Sequence, residues 1–338
     1  MIRVILSVFT SALLCLCVPH SAQAAISLST VYVGDAGNPA DAGTGRGSVG
    51  YDFLMGKYEV TISQYTAFLN AVARTDTYAL WNSSIGGILS TRGISRAGAS
   101  GSYRYSAIGY EDRPISNVSW FDAARFVNWM DNGQPTGPQG PATTETGTYA
   151  LNGATTGTGF TRAAGAHFVL PTADEWYKAG YYHPASSGGP AGDYWLYPTR
   201  SNTQPNSRNG STSDPNSANY YYDDGIANGY NGGYATINAT TYTSQNMLTR
   251  AGAFTLASSY YGTFDQGGNV AEMSEDCIQL GGAFTTTEVV LRLDMDYNFG
   301  DPTWIASNAG FRVAYVPEPA SAWLMLLGAA WMGAKRKR

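Results

Sequence analysis

The sequence predicts a single loop-rich α+β domain, and three observations carry that prediction. Three short amphipathic helices each follow a capping signal, several brief alternating segments have strand periodicity, and 40 glycines with 24 tyrosines punctuate everything between them. Tyr51 to Val60 (YDFLMGKYEV) alternates well enough for a strand. Thr61 then caps a helix in which Tyr65, Phe68, Leu69 and Val72 fall at i, i+3, i+4 and i+7, forming one apolar stripe. A second helix begins at Ser119 with Asp122 three residues on, and Ala123, Phe126, Val127 and Met130 repeat the spacing. Pro171, Thr172 and Glu175 announce a third. Gln279 to Thr285 and Gly310 to Val316 are further strand candidates. Residues 131–165 and 185–250 are rich in Gly, Asn, Ser, Thr and Tyr without clear periodicity, so they are expected as surface loops with short strands.

The two ends carry different signals. Arg3, an apolar run from Val4 to Val18, and Ala22-Gln23-Ala24 make an export signal with a small-x-small cleavage site, placing cleavage after Ala24. Residues 25–47 follow as a linker, Gly/Asp/Ala-rich from Gly34 onward, and the domain is expected over 48–315. At residues 316–338, Val316-Pro317-Glu318-Pro319 precedes an apolar run, Ala320 to Ala334, and the chain ends on Lys335-Arg336-Lys337-Arg338. Fifteen helical residues span roughly 22 Å, a short transmembrane segment against about 30 Å of hydrocarbon. The terminal cations stay on the cytoplasmic side and leave the domain outside.

Composition narrows the function classes. With the charged residues of the two ends set aside, 15 basic and 24 acidic residues remain, a balance near −9. Nucleic acid, which needs a basic footprint, is excluded as a partner. Cys15 and Cys17 leave with the export signal, so Cys277 alone remains and no internal disulfide forms. Cys277 is expected as a small buried hydrophobe. His167 and His183 stand in different contexts, which gives no histidine pair for a two-histidine, one-carboxylate iron site. His183, between Tyr182 and Pro184, is expected as a turn residue, and Trp120, Trp176 and Phe311 as core aromatics.

Five segments, in order, resemble the formylglycine-generating (sulfatase-modifying factor) family. They are Met55 to Thr61 (MGKYEVT), Pro114 to Trp120 (PISNVSW), Leu170 to Trp176 (LPTADEW), Gly267 to Glu272 (GGNVAE) and Gly310 to Val313 (GFRV). The resemblance implies an irregular C-type lectin-like fold. It also implies calcium on the loop before Glu272, held by Asp265, the carbonyls of Gly268 and Val270, and Glu272; a second site would begin at Asn219. Flexible hard-cation geometry and a Gly-rich loop suit each other. Arg312, beside Phe311, is expected to stack or to pair with Glu59 or Glu272. The family's oxidase chemistry needs two cysteines that bind copper(I), five residues apart after a Gly-Gly-Ser-aromatic motif. Here that motif is Gly281-Gly282-Ala283-Phe284, and the two positions fall on Thr286 and Leu291, so copper and catalytic residues are not expected. The C-terminal pattern resembles a PEP-CTERM sorting signal, which implies an exosortase-type processing enzyme, transient anchoring in the inner membrane, and a final place at the cell surface or outside the cell. Two functions follow: a binding or catalytically altered surface module, whose partner is exopolysaccharide or a surface protein, or an oxidase that modifies a protein partner.

Overall fold

The computed structural model describes residues 25–207, 214–223, 232–234, 245–295 and 300–316. The export signal, and Pro317 onward of the C-terminal signal, lie outside them. Among the described residues no helix is long and apolar enough to cross a membrane.

All three capping signals do what their residue types dictate. Thr61 Oγ1 accepts from Gln64 N while the Gln64 side chain bonds back to Thr61 N, opening α1 (Ile62–Val72). Ser119 and Asp122 open α3 (Trp120–Asp131) in the same reciprocal way, and Thr172 with Glu175 opens α4 (Ala173–Tyr181). Each box satisfies backbone N–H groups that the first helical turn leaves unpaired. Between α1 and α3 lie α2 (Ser83–Gly87) and the hairpin β3 (Ile94–Ala97)–β4 (Arg104–Ala107), neither of which sequence periodicity marks. The stripes of α1 and α3 meet in the main core. There Phe126 lies 5.4 Å from both Phe68 and Phe311, edge-on in each case.

The strands are shorter than expected. Tyr51 to Val60 yields only β2 (Phe53–Gly56), the centre of a four-stranded antiparallel sheet ordered β1-β2-β11-β5, with β1 Thr30–Val33, β5 Phe168–Val169 and β11 Ala314–Tyr315. Residues 25–47, expected as a linker, therefore contribute β1, because Val33 is fully buried against the sheet's core and Thr30 to Val33 pair with Phe53 to Gly56. A second sheet, β10 (Ala309–Gly310)–β8 (Ala271–Met273)–β9 (Gln279–Leu280), carries the end of the GGNVAE segment in its middle strand.

The inserts also differ from surface loops. In 131–165, Thr144, Glu145, Thr148, Tyr149 and Leu151 are buried, because Arg125 on α3 needs a buried carboxylate and Asn128 needs backbone acceptors. In 185–250, Tyr197, Tyr220, Met247 and Leu248 are core residues, while β6 (Tyr221–Asp223) and β7 (Gly232–Tyr234) are the short strands expected there. The result is a loop-rich α+β fold, as predicted.

Candidate functional site

The loop from Asp265 to Glu272 is built by backbone geometry before any side chain acts. Asp265, Gly268 and Asn269 all take positive φ (58°, 94° and 59°), so the chain doubles back within five residues. Gly268 is required: a Cβ there would stand 2.4 Å from the Asn219 carbonyl oxygen. Asn269 is the hub. Its backbone N donates to Asn219 O (2.7 Å), its carbonyl accepts from Phe284 N (3.0 Å), and its Oδ1 accepts from Asn219 Nδ2 (3.1 Å) and Thr249 N (3.0 Å). Its Nδ2 donates to Glu59 Oε1 (3.1 Å).

Four charged side chains converge on this loop. Arg312, fully buried, donates from Nε and Nη2 to both oxygens of Glu272, and from Nη1 and Nη2 to the carbonyls of Gly56 and Phe264 (2.9 Å each). Glu272 also accepts from Trp176 Nε1 (2.8 Å). This settles the pairing of Arg312 in favour of Glu272. Glu59 is 2 % exposed; Oε1 is held by Asn269, but Oε2 has no hydrogen-bond partner among the described residues. Burial, then the neighbouring Asp265 and Glu272, push its carboxyl well above the usual carboxylate range, and Arg312 pulls it only partly back. Asp265 accepts from Gly252 N (2.6 Å), yet burial still pushes its carboxyl up to about 6. Three carboxylates thus face one guanidinium.

The calcium ligand set carried over from the resemblance can be tested against these contacts. Asp265 is an acid with only the Gly252 N–H bonded to its carboxylate among the described residues. Glu272 fits poorly, since Arg312 cancels its charge and three donors fill most of its lone pairs. Among the described residues, no three Asp, Glu, His or Cys side chains converge closely enough to hold one ion. Asn219 Oδ1 is buried and without a partner among the described residues. The stretches 224–231 and 235–244, where further partners of a second site would fall, lie outside the described residues.

Thr286 and Leu291, the positions that the resemblance assigns to the cysteine pair, do meet at one point. A Cβ added to Gly282 would lie 2.7 Å from Thr286 Oγ1 and 3.0 Å from Leu291 Cδ1. Thr286 Oγ1 accepts from Ala283 N (2.8 Å) and donates to Ala283 O (3.0 Å), which closes a tight turn. Leu291 is fully buried against Tyr197, Ala218 and Tyr220. Cys277 packs separately beside the main core, half-buried rather than buried, with its thiol pushed up to about 11 by burial and then by Asp276 and Glu275. His183 stacks on Tyr260 at 4.0 Å and accepts from Trp195 Nε1 at Nδ1 (3.1 Å).

Residues 30–316 match the sulfatase-modifying factor enzyme 1-like domain over most of the chain. The protein belongs to that family. Solved structures similar to it include CarF (18 % identical, TM-score 0.47, covering 86 % of this chain and 98 % of that one). Treponema denticola variable protein 1 (14 %, 0.45, 87 % and 97 %) and PvdO from Pseudomonas aeruginosa (16 %, 0.41, 86 % and 91 %) are also similar. No curated protein matches the chain. The family's five segments bring Glu59, Asn117, Glu175, Glu272 and Arg312 into the interior. Sequence reasoning named Glu272 and Arg312 but missed Asn269 as the hub. The signal for it was present, since asparagine after two glycines is the side chain best suited to a left-handed turn.

Proposed function

We propose that this is an exported surface protein whose domain keeps the sulfatase-modifying scaffold without its copper chemistry and serves as a binding module in the exopolysaccharide layer. One observation carries the reading: the two positions that the resemblance assigns to copper(I) both lie against Gly282, and they present a threonine hydroxyl and a leucine methyl. Copper(I) is a soft ion that selects thiolate, and neither group supplies one. Thr286 is further occupied in its turn with Ala283, and Cys277 packs elsewhere. Export and sorting rest on residues 1–24 and 316–338, whose patterns imply removal of both ends and an exosortase-type partner. A cation in the 265–272 loop belongs to the same reading as a structural element, since the loop carries more acid than base.

The test is turnover. Incubated with a sulfatase-type cysteine peptide, oxygen and copper(I), the protein is expected to give no formylglycine by mass spectrometry and to be retarded in native gels containing exopolysaccharide. Turnover that copper chelation abolishes would replace this reading with the oxidase one.

A further inference from the structure

A cavity of about 280 Å³ opens between three stretches that lie outside the five family segments: Leu89 and Arg92 after α2, Ile108 to Tyr110 after β4, and Asn246 in the second insert. Ligand pockets run from roughly 300 to 1,000 Å³, so this one has room for a single small ring. Its walls are tied to one another by the protein alone. Ile108 N donates to Gly93 O (2.8 Å), Met247 N to Ser90 O (2.7 Å) and Asn246 Nδ2 to Arg92 O (3.0 Å). Arg113 Nη1 donates to Asn246 O (3.1 Å) and Oδ1 (2.8 Å), and its guanidinium lies 4.4 Å from the Tyr110 ring centre. A pocket braced in this way loses little freedom when it is filled, which favours binding of a small ligand.

The lining divides into an apolar part and a cationic one. Leu89 is 49 % exposed, and with the half-buried Ile108 and Tyr110 it offers aliphatic and aromatic surface to the cavity. Arg92 is exposed, and its guanidinium has no hydrogen bond or ion pair among the described residues. No carboxylate is among the lining residues, and Arg113, against Tyr110, holds oxygens of Asn246 rather than an acid. In a chain with 25 acidic and 20 basic residues, these guanidinium groups are left without a carboxylate of the protein's own. Arg presents parallel N–H donors that a carboxylate accepts in pairs. The matching ligand therefore carries a carboxylate for Arg92 and a C–H face for Leu89, Ile108 and Tyr110. A uronic acid has both on one pyranose ring.

We propose that this cavity is a subsite for one uronic-acid residue of a polysaccharide, with Arg92 pairing its carboxylate and Leu89, Ile108 and Tyr110 packing on its ring. Asn246 and Arg113 are positioning residues that fix the Arg92 backbone and the Tyr110 ring. Gly109, exposed, has open space where a Cβ would stand, which leaves a way out for the neighbouring sugars. The acidic balance of the rest of the chain opposes a polyanion elsewhere on the surface, so recognition falls to this contact. The inference rests on the binding-module reading above and gives it a ligand class.

The experiment titrates the full chain with glucuronate, glucose and N-acetyl-leucine, followed by saturation-transfer NMR and calorimetry, beside the exopolysaccharide gel. Wild type is expected to bind glucuronate about tenfold more tightly than glucose, because hydrogen bonds to a charged group favour it by that order. Arg92→Gln is expected to lose that preference while melting as wild type does, since Arg92 is exposed. Arg92→Lys keeps the charge without the paired donors and is expected to fall between the two. Ile108→Ser is expected to weaken both sugars alike. Equal affinity for glucuronate and glucose, or a glucuronate affinity that Arg92→Gln leaves unchanged, overturns the proposal. Tighter binding of N-acetyl-leucine than of glucuronate also overturns it, in favour of a peptide C-terminus. Retardation by exopolysaccharide that survives in Arg92→Gln removes the subsite and leaves the binding-module reading standing. Glucuronate bound without retardation supports the subsite and removes that polysaccharide as its source.

Discussion

Two buried acid–base sites in this protein differ in kind. Beside α3, Arg125 donates to both oxygens of Glu145 (2.7 and 2.9 Å), and Thr144 Oγ1 and Gly153 N complete the carboxylate. The guanidinium lies 4.1 Å from the Tyr78 ring centre and donates to Ala154 O. One acid meets one base, and every oxygen has its donors. At the GGNVAE loop, three acids meet one base, and an oxygen of Glu59 has nothing. A site that only holds the fold together can be neutral and saturated, because nothing has to enter it. The GGNVAE loop is neither neutral nor saturated among the described residues.

The comparison can be broken at the saturated end first, where the effect is largest. Glu145→Ala leaves Arg125 charged and unpaired in the interior, which should cost about 3–5 kcal/mol in urea unfolding. A cost below about 1 kcal/mol would mean that the pair is not what closes the 131–165 insert onto α3. A smaller effect comes from Asp122, the acid that shares Arg125's neighbourhood. Burial pushes its carboxyl up to about 6, despite bonds from Ser119 and the pull of Arg125. An acid raised in the folded state contributes stability that is present below its unfolded pKa, near 4, and is lost as pH rises through 6. Stability should therefore fall by roughly 2–3 kcal/mol from this group between pH 4 and 6. Asp122→Asn should flatten that part of the profile, and an unchanged slope would assign the loss to another group. The smallest effect tests a helix cap: Thr61→Ala removes the side-chain acceptor for Gln64 N and should lower stability by about 1 kcal/mol.

The parts legible in sequence are those in which a few neighbouring residues carry the whole cause. Thr61 with Gln64, Ser119 with Asp122, and Thr172 with Glu175 each begin a helix where local hydrogen bonding dictates it. Strands were harder. Val60 satisfies its backbone through Phe311 and Ile115 rather than through a ladder, so an alternating pattern stops being a strand at Gly56. The buried half of the 131–165 insert was invisible, because nothing near Glu145 in sequence announces Arg125 twenty residues away.

By itself the sequence determined the helix starts, the apolar stripes, the family, and the threonine and leucine at positions 286 and 291. Each of these depends on residue identity over short spacings. Only the tertiary structure decided that Arg312 belongs to Glu272, that Thr286 and Leu291 share one point, and that Glu59 is left with an unanswered oxygen. Those facts depend on which charges a fold brings together and how far it takes them from water, and separation along the chain, 210 residues between Glu59 and Asn269, carries no trace of it.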